Sequence, residues 1–396
     1  MFPIPTPSPT PTLLRPQRAA ERMGWADTTK GACILLVVLW HVITKHYLRV
    51  GWNLGVPIPG IWGMLGDQLL TLRMPLFFTI SGMFAAGAFH RPWRTVARGR
   101  VTRHLYLYVL WVSIHTVLLG FAPGFGTAGA HGWAELAEQL TISPPNLWYL
   151  YALALYFALA KALRRVPAPV VIAAALVLSV VVSAGVLPTA GNRGSLLQNL
   201  VFFLTGLHLR PQVERFASTT GGRRALLAGS AYSLALAVMA VTGTRHLPGV
   251  WPTVCVLATV FGVSAAPAVA AVPVVGGALA WLGRRTLAVY LIHMPVLALL
   301  HRALVAPLSH AGTQARYVLA VVHPVLMTAL VVAVCLLVEA VLPKMGATWL
   351  FDLPTWRRAR SVTTLGTAIG WRRCLFQPLA AARPSRSRSC SSRTTR

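Results

Sequence analysis

The sequence predicts an all-α fold: a polytopic membrane protein with about ten transmembrane helices packed in one bundle. Three observations support this class. The 396-residue chain is 56% hydrophobic and only 11% charged, and its mean hydropathy of +0.63 is too high for a soluble domain of this length. Its apolar residues fall in runs long enough to cross a bilayer. Its basic residues fall in every second connection between these runs.

The apolar runs define the individual helices. A helix that crosses the hydrocarbon core needs about 17 to 25 predominantly apolar residues. On this criterion the candidate spans cover residues 30–48, 63–89, 105–122, 146–163, 168–187, 195–209, 225–242, 251–271, 286–305 and 317–341. The span over 195–209 is short and is interrupted by Asn199, so nine or eleven spans are the alternatives.

Basic residues predict the orientation of the spans. They precede the first span and follow each even-numbered span, at Arg15–Arg22, Arg91–Arg103, Lys161–Arg165, Arg210–Arg224, Arg284–Arg285 and from Lys344 onward. Because Lys and Arg accumulate in cytoplasmic loops, both termini are predicted to be cytoplasmic. A count of nine spans would place the basic C-terminus outside, against its charge.

The two ends of the chain differ in composition from its centre. Residues 1–24 are rich in Pro and Thr and lack the apolar centre of a signal peptide, which predicts a disordered cytoplasmic leader. Residues 25–345 form the predicted membrane domain. Residues 346–396 form a predicted disordered, basic cytoplasmic tail, which could also bind anionic lipid head groups.

Charge and cysteine content exclude other classes. The net charge of +28 does not indicate nucleic-acid binding, because the arginines lie beside the spans and in the tail. The five cysteines form no CxxC pair and no Cys/His cluster, so neither a zinc site nor a disulfide framework is predicted. We therefore expect a multi-pass protein of the cell membrane, in contact with lipid and without metal or nucleic acid.

An acid, a base and an imidazole are predicted to line one face of the first helix. Lys30 and His41 are eleven positions apart, so their side chains point the same way, about 16 Å apart along the axis. Asp27 lies within about 60° of the same stripe. Ionisable groups in hydrocarbon are costly and indicate a functional site. His41 is a candidate general base, and a structural histidine is the alternative.

The basic loop after the second span contains a close pair of arginines. Arg100 and Arg103 are three residues apart and share a face if the third helix begins early. Two guanidinium groups on one face can hold a phosphate or pyrophosphate. An ordinary basic cytoplasmic loop is the alternative interpretation.

The second span carries a further charge. Pro75 predicts a kink in this helix, and Ser81 with Gly82 allows another helix to approach closely. Packing alone explains these residues. Arg73 needs a partner for its charge, and the candidates are Asp67 and an acid group of a substrate.

Aromatic and polar residues mark the fourth and ninth spans. Trp148 begins the fourth span, where an aromatic belt at the membrane interface is the simpler interpretation. Tyr290 and His293 are about one turn apart in the ninth span. His293 is the second histidine deep enough to be a ligand or proton partner, and a structural role is the alternative.

Five stretches carry a family resemblance. They are Asp27–Gly31 continuing to Leu39–His41, Met74–Gly82, Leu147–Leu150, Phe202–Gly206 and Leu282–His293. Over about Trp25 to Leu342, these stretches, in this order and with ten spans, resemble the acyltransferase-3 family of integral membrane O-acyltransferases, especially its sugar O-acetylase branch.

The resemblance implies acyl transfer from cytoplasmic acyl-CoA, usually acetyl-CoA, to a hydroxyl of a sugar, a cell-envelope glycan or a secondary metabolite. It implies that Lys30 and His41 are required for activity and that Arg100 and Arg103 match a basic pair of the family. Two positions depart from the pattern. Arginine is common where Lys30 stands, and Arg73 stands where the sugar O-acetylase branch often has histidine.

These observations define one hypothesis for the site. His41 takes the acceptor proton, and Asp27 orients Lys30 or balances its charge. Lys30, Arg100 and Arg103 bind acyl-CoA, whose pantetheine arm is about as long as the 16 Å between Lys30 and His41. The expected acceptor-binding residues are Arg73, Ser81, Trp148, Tyr290 and His293.

Two other classes of protein fit parts of the pattern. In a proton-coupled transporter or flippase, His41, Lys30 and Asp27 would form a proton relay. A membrane scaffold or receptor would not need His41 at all. The basic pair favours the enzyme, because neither alternative needs a site for a polyanion.

Overall fold

The computed structural model describes residues 14–122, 125, 129–130 and 132–354, and only the backbone of residues 14–23 and 98. The fold is all-α, as predicted: 82% of the described residues are helical, and these residues contain no strand. The α-helices of this part are α1 (Leu14–Lys45), α2 (Ile58–Gln68), α3 (Leu70–Phe89), α4 (Trp93–Val96), α5 (Arg103–Gly120), α6 (Trp133–Thr141), α7 (Trp148–Ala162), α8 (Ala168–Ser183), α9 (Arg193–His208), α10 (Arg210–Thr219), α11 (Gly222–Thr242), α12 (Val250–Ala271), α13 (Pro273–Gly283), α14 (Thr286–Ser309) and α15 (Thr313–Val341).

Each predicted span overlaps a helix, but the helices differ in length. Six segments of the described chain are long and apolar enough to cross a membrane: Gly24–Arg49, Ile58–Phe89, Gly222–Thr242, Val250–Ala271, Thr286–Ser309 and Thr313–Met345. The other four predicted spans correspond to α5, α7, α8 and α9, which have 15 to 18 residues. The count of ten membrane crossings therefore stays a prediction.

The second predicted span consists of two helices. α2 and α3 meet at Leu69, whose backbone N–H still bonds to Leu65 O at 3.0 Å. Pro75 lies inside α3 without ending it. The interruption therefore lies six residues before the proline, and the polar residue Asp67 sits in the last turn of α2.

Helical elements extend beyond both ends of the predicted membrane domain, whose boundaries stay a prediction. α1 begins at Leu14, inside the predicted leader, and residues 1–13 lie outside the described residues. The predicted tail begins with an ordered stretch, because Thr348–Leu350 form a helical turn that packs on α5. Trp111 Nε1 donates to Leu350 O at 2.7 Å. Residues 355–396 lie outside the described residues.

Helix α1 packs against α3, α12, α13, α14 and α15. Glycines allow the closest of these approaches. A Cβ at Gly31 would overlap the carbonyl oxygen of Leu279, and a Cβ at Gly283 would overlap that of Asp27. Contact between the backbones of α1 and α13 therefore holds the part of α1 that carries Asp27 and Lys30.

A second close crossing joins α3 and α9. A Cβ at Gly82 would overlap Phe203 O, and a Cβ at Gly206 would overlap Thr79 O. The two glycines thus face each other's helix backbones, as small residues do where membrane helices cross. The close approach of another helix that the sequence predicted at Gly82 is present, and α9 is that helix.

Candidate active site

His41 lies on a cavity of about 310 Å³ that is bounded by α1, α3 and α14 and by the starts of α7 and α9. Aromatic, cationic and amide groups line it together. Its lining includes His41, Arg73, Asn146, Trp148, Asn192 and Tyr290. The structure thus brings together residues that lie up to 249 positions apart in the chain.

The hydrogen-bond partners of His41 assign its tautomer. Its Nδ1 is 2.9 Å from Val37 O, which can only accept a hydrogen bond. Nδ1 therefore carries the proton. In the neutral ring the lone pair is then on Nε2, and this nitrogen is the basic atom that His41 brings to the cavity.

His293 lies behind His41 and supports this tautomer. Its Nδ1 is 2.8 Å from Tyr290 O and 3.1 Å from Val289 O, so Nδ1 is the protonated nitrogen. Its Nε2 is 3.3 Å from His41 Nδ1 and accepts from it. His293 is fully buried and is absent from the described lining of the cavity. The structure therefore brings His293 into direct contact with His41, and its predicted role toward the acceptor stays a prediction.

Tyr290 and Ser81 belong to one hydrogen-bonded framework. The Tyr290 hydroxyl accepts from Tyr149 N–H at 3.1 Å and donates to Asn146 O at 2.9 Å. Ser81 Oγ donates to Phe77 O at 2.7 Å, so the Tyr149 hydroxyl, 2.6 Å away, donates to Ser81. Tyr290 and Trp148 line the cavity, whereas Ser81 is absent from its described lining. Ser81 therefore joins α3 to α7.

Arg73, on α3, is buried and lines the same cavity as His41. Its guanidinium lies 4.5 Å from the centre of the Trp40 ring and donates to Gly66 O at 3.2 Å. Asp67, one of the two predicted partners, instead accepts from Trp40 Nε1 at 3.3 Å. The charge of Arg73 is thus balanced by a ring face, a carbonyl and a nearby carboxylate.

Lys30 and Asp27 lie at the other end of the same stripe on α1. Their side chains form an ion pair of 2.7 Å and are each about one fifth exposed. Lys30 Nζ is also 4.4 Å from the centre of the Phe84 ring on α3. The predicted orientation of Lys30 by Asp27 therefore has a direct contact behind it.

Arg100 and Arg103 flank the start of α5. Arg100 lies in a π-helical segment, Ala97–Thr102, with its guanidinium 5.5 Å from the centre of the Phe157 ring. Burial, and then the charges of Arg103 and Arg91, lower the pKa of Arg100 from its ordinary value. An anion placed here would relieve that repulsion. Among the described residues, no ion pair or hydrogen bond joins either arginine to Lys30.

Arg103 is held by a residue that the sequence did not single out. Its Nε is 2.9 Å from Asp352 Oδ1, and its Nη2 donates to Phe351 O at 3.3 Å. Asp352 lies in the segment predicted to be a disordered tail. A signal was present, because the chain has only 8 acidic residues and an isolated acid beside a basic region is a candidate partner.

Asn146 and Asn192 were also missed as site residues. The sequence assigned no role to either side chain. Both side chains line the His41 cavity. Asn192 precedes the first residue of α9, a position typical of a helix cap, so its type alone did not indicate a ligand contact.

The fold and the buried imidazole pair define a helical membrane protein with two contacting histidines beside a cavity inside its helix bundle. The chain belongs to the acyltransferase-3 family: the family's acyltransferase domain matches residues 23–340. The chain is 28% identical over 221 residues to the Inner membrane protein YcfT of Escherichia coli (strain K12), a match that covers 52% of this chain and 61% of the relative. No solved structure matches the chain. With its apolar helices, this membership makes it a multi-pass membrane protein, and the predicted family is confirmed.

Proposed function

We propose that the protein is a membrane O-acyltransferase that moves an acyl group, acetyl in the simplest case, from acyl-CoA to a hydroxyl of a sugar, cell-envelope glycan or secondary metabolite. The observation that carries this proposal is the tautomer of His41. Hydrogen bonds to three carbonyl groups place the proton of each imidazole on Nδ1, and His41 Nδ1–H also donates to His293 Nε2. The Nε2 that stays basic is therefore that of His41, the residue that lines the cavity. A general base needs this arrangement.

The reaction follows from this arrangement. The acceptor O–H gives its proton to His41 Nε2 as the oxygen attacks the thioester carbonyl carbon. The C–S bond then breaks, and the CoA sulfur takes the proton from Nε2. While His41 is an imidazolium, its Nδ1–H remains bonded to Val37 O and His293 Nε2, which stabilise the charge.

Acyl-CoA would approach from the N-terminal side of the apolar segment Gly24–Arg49, where Lys30 lies. With ten spans and cytoplasmic termini, Lys30, Arg100 and Arg103 lie toward the cytoplasm, where acyl-CoA is found. Their charges suit the phosphates of CoA. Asp27 keeps Lys30 in place, and the distance of about 16 Å along α1 lets an extended pantetheine arm reach His41.

The test uses purified protein in nanodiscs with radiolabelled acetyl-CoA and a panel of sugar and macrolide alcohols. We expect release of CoA and transfer of label to at least one alcohol. Absence of both acetyl-CoA binding and transfer would overturn the proposal. Uptake of an alcohol into proteoliposomes without CoA, dependent on a proton gradient, would establish the transporter instead.

His293 is expected to act through His41. Replacing His293 by Ala removes the acceptor for His41 Nδ1–H, so we expect kcat to fall about 10- to 100-fold, the loss of one charge-assisted hydrogen bond. His293→Gln can place an amide oxygen near the position of Nε2 and should retain more activity than His293→Ala. Equal activity of the two variants, with acetyl-CoA binding intact, would contradict this role.

Asp352 competes with an anion for Arg103. Its side chain is 65% exposed, and such ion pairs contribute at most about 1 kcal/mol. We therefore expect Asp352→Asn to lower the KM for acyl-CoA by up to about fivefold. Glu214→Gln removes a comparable ion pair, Arg210–Glu214 at 2.7 Å, and serves as the control. A higher KM in Asp352→Asn would show that Asp352 supports donor binding.

A further inference from the structure

A second cavity adjoins the one that contains His41. It has a volume of about 320 Å³ and lies between α6, the loop 143–146 and the turn before α9. Asn146 and Asn192 line both cavities. The two amides therefore form the boundary between an outer vestibule and the space around His41. The vestibule lies at the end of the bundle where α5 ends, and Lys30 lies toward the opposite end.

The orientation of the Asn146 amide follows from His115. The Nε2 of His115 is 2.8 Å from Leu291 O and carries the proton, so Nδ1 can only accept. Asn146 Nδ2, 3.3 Å from that Nδ1, is therefore the donor. Its Oδ1 is buried, and no donor among the described residues reaches it. A buried oxygen without a partner is costly unless a ligand supplies a hydrogen bond.

The orientation of the Asn192 amide is set in the same way. Its Nδ2 donates to Pro144 O and Pro145 O, at 3.0 Å each. Both of its hydrogens are used by these carbonyls, which leaves Oδ1 as its atom for a ligand. Each amide thus uses its nitrogen for the protein and presents an oxygen.

The vestibule has the same polarity as this boundary. Glu135 and Glu138 add carboxylates, which also accept hydrogen bonds. On the inner side, Trp40 and Trp148 line the space around His41. The two amide oxygens and the two carboxylates favour a ligand that donates several hydrogen bonds, and the indole rings suit the C–H faces of a ring. A polyhydroxylated ring has both properties.

We propose that Asn146 and Asn192 bind the vicinal hydroxyl groups of a sugar ring that enters through the vestibule, and thereby position one hydroxyl for His41. This inference rests on the proposed acyl transfer and adds the route of the acceptor and the residues that select it. The donor and the acceptor then reach His41 from opposite ends of the bundle.

The kinetic test compares Asn192→Leu and Asn146→Leu with Asn199→Leu. Asn199 is the matched control, because its Nδ2 also donates to a backbone oxygen, Ser195 O at 2.7 Å. Among the described residues, it is not part of the lining of either cavity. With methyl glycosides of glucose, galactose, mannose and rhamnose as acceptors, we expect the acceptor KM to rise at least tenfold in the first two variants. The Kd for acetyl-CoA should change by less than twofold.

A second measurement is independent of catalysis. Glu138→Cys is placed in a background in which Cys374 and Cys390 are serine, because the three other cysteines are buried. A membrane-impermeant maleimide should label this cysteine from the membrane face opposite Lys30. A methyl glycoside should slow labelling more in the protein that retains Asn192 than in the same protein carrying Asn192→Leu. Butan-1-ol, which lacks vicinal hydroxyls, should not slow it.

The outcomes separate the two proposals. Failure of the wild type to bind or turn over acetyl-CoA overturns acyl transfer, and the labelling still tests the vestibule. The vestibule proposal is overturned if no glycoside slows labelling, if labelling occurs only from the Lys30 face, or if Asn192→Leu and Asn146→Leu keep the wild-type acceptor KM.

Discussion

Replacing His41 by Ala is expected to lower kcat/KM for acyl transfer at least about a hundredfold, the lower end of the contribution of a positioned general base. The reason is that, of the His41–His293 pair, the ring with an unprotonated Nε2 on the cavity side of the pair belongs to His41, the residue proposed to accept the hydroxyl proton. The substitution removes the ring without disturbing Val37 O, which already accepts within α1. Release of CoA and label transfer from acetyl-CoA measure the effect.

Two controls distinguish catalysis from folding in this experiment. His310→Ala removes a histidine whose Nδ1 is likewise bonded to the carbonyl four residues earlier, Ala306 O at 2.8 Å, but which is exposed at the end of α14. It should keep wild-type activity. His41→Ala should still bind acetyl-CoA, because Lys30 and the arginine pair remain. Transfer at more than a tenth of the wild-type rate would show that another group is the base.

Replacing Gly82 or Gly206 by Ala is expected to have the greatest effect on stability. Each new methyl group would overlap a backbone oxygen of the opposite helix, so α3 and α9 must separate. Overpacking of this kind costs about 1 to 3 kcal/mol, and a shift of the crossing also moves Ser81 and its bond to Tyr149. We expect the midpoint of thermal unfolding in detergent to fall by about 1 to 4 °C.

Gly87→Ala and Gly277→Ala provide the matched comparison. Both glycines lie inside helices, α3 and α13, and a Cβ at either position meets no atom within 4 Å. Since Ala favours a helix over Gly by about 1 kcal/mol, these variants should unfold at the wild-type temperature or above it. Equal midpoints for all four variants would mean that the α3–α9 crossing is not a close backbone contact.

Sequence reasoning succeeded where the information is local. The length of an apolar run and the charge of its flanks depend on neighbouring residues, so the all-α class and the approximate positions of the helices followed from them. The placement of Lys30, Asp27 and His41 on one stripe also followed, because it needs only the helical period. The Asp27–Lys30 ion pair is a contact between residues three positions apart.

Distant contacts were outside its reach. The sequence gave His293 as a candidate ligand or proton partner without identifying its neighbour, and the packing of α14 against α1 brings it to His41, 252 positions away. It treated residues 346–396 as a disordered tail, whereas Asp352 binds Arg103. The His41–His293 contact changes neither the composition nor the periodicity of its two segments, so no local pattern could reveal it. The scarcity of acidic residues marked Asp352 as a candidate partner but did not show which arginine it binds.

The amino-acid sequence thus determines that this chain is a helical membrane protein of the acyltransferase-3 family with a lysine and a histidine on one helix face. The packing of the helices decided the rest: the tautomer of His41, the two cavities and the oxygens of Asn146 and Asn192. The physical reason is that hydrophobic runs drive helices into the membrane one at a time. Hydrogen bonds between side chains depend on which helices then become neighbours.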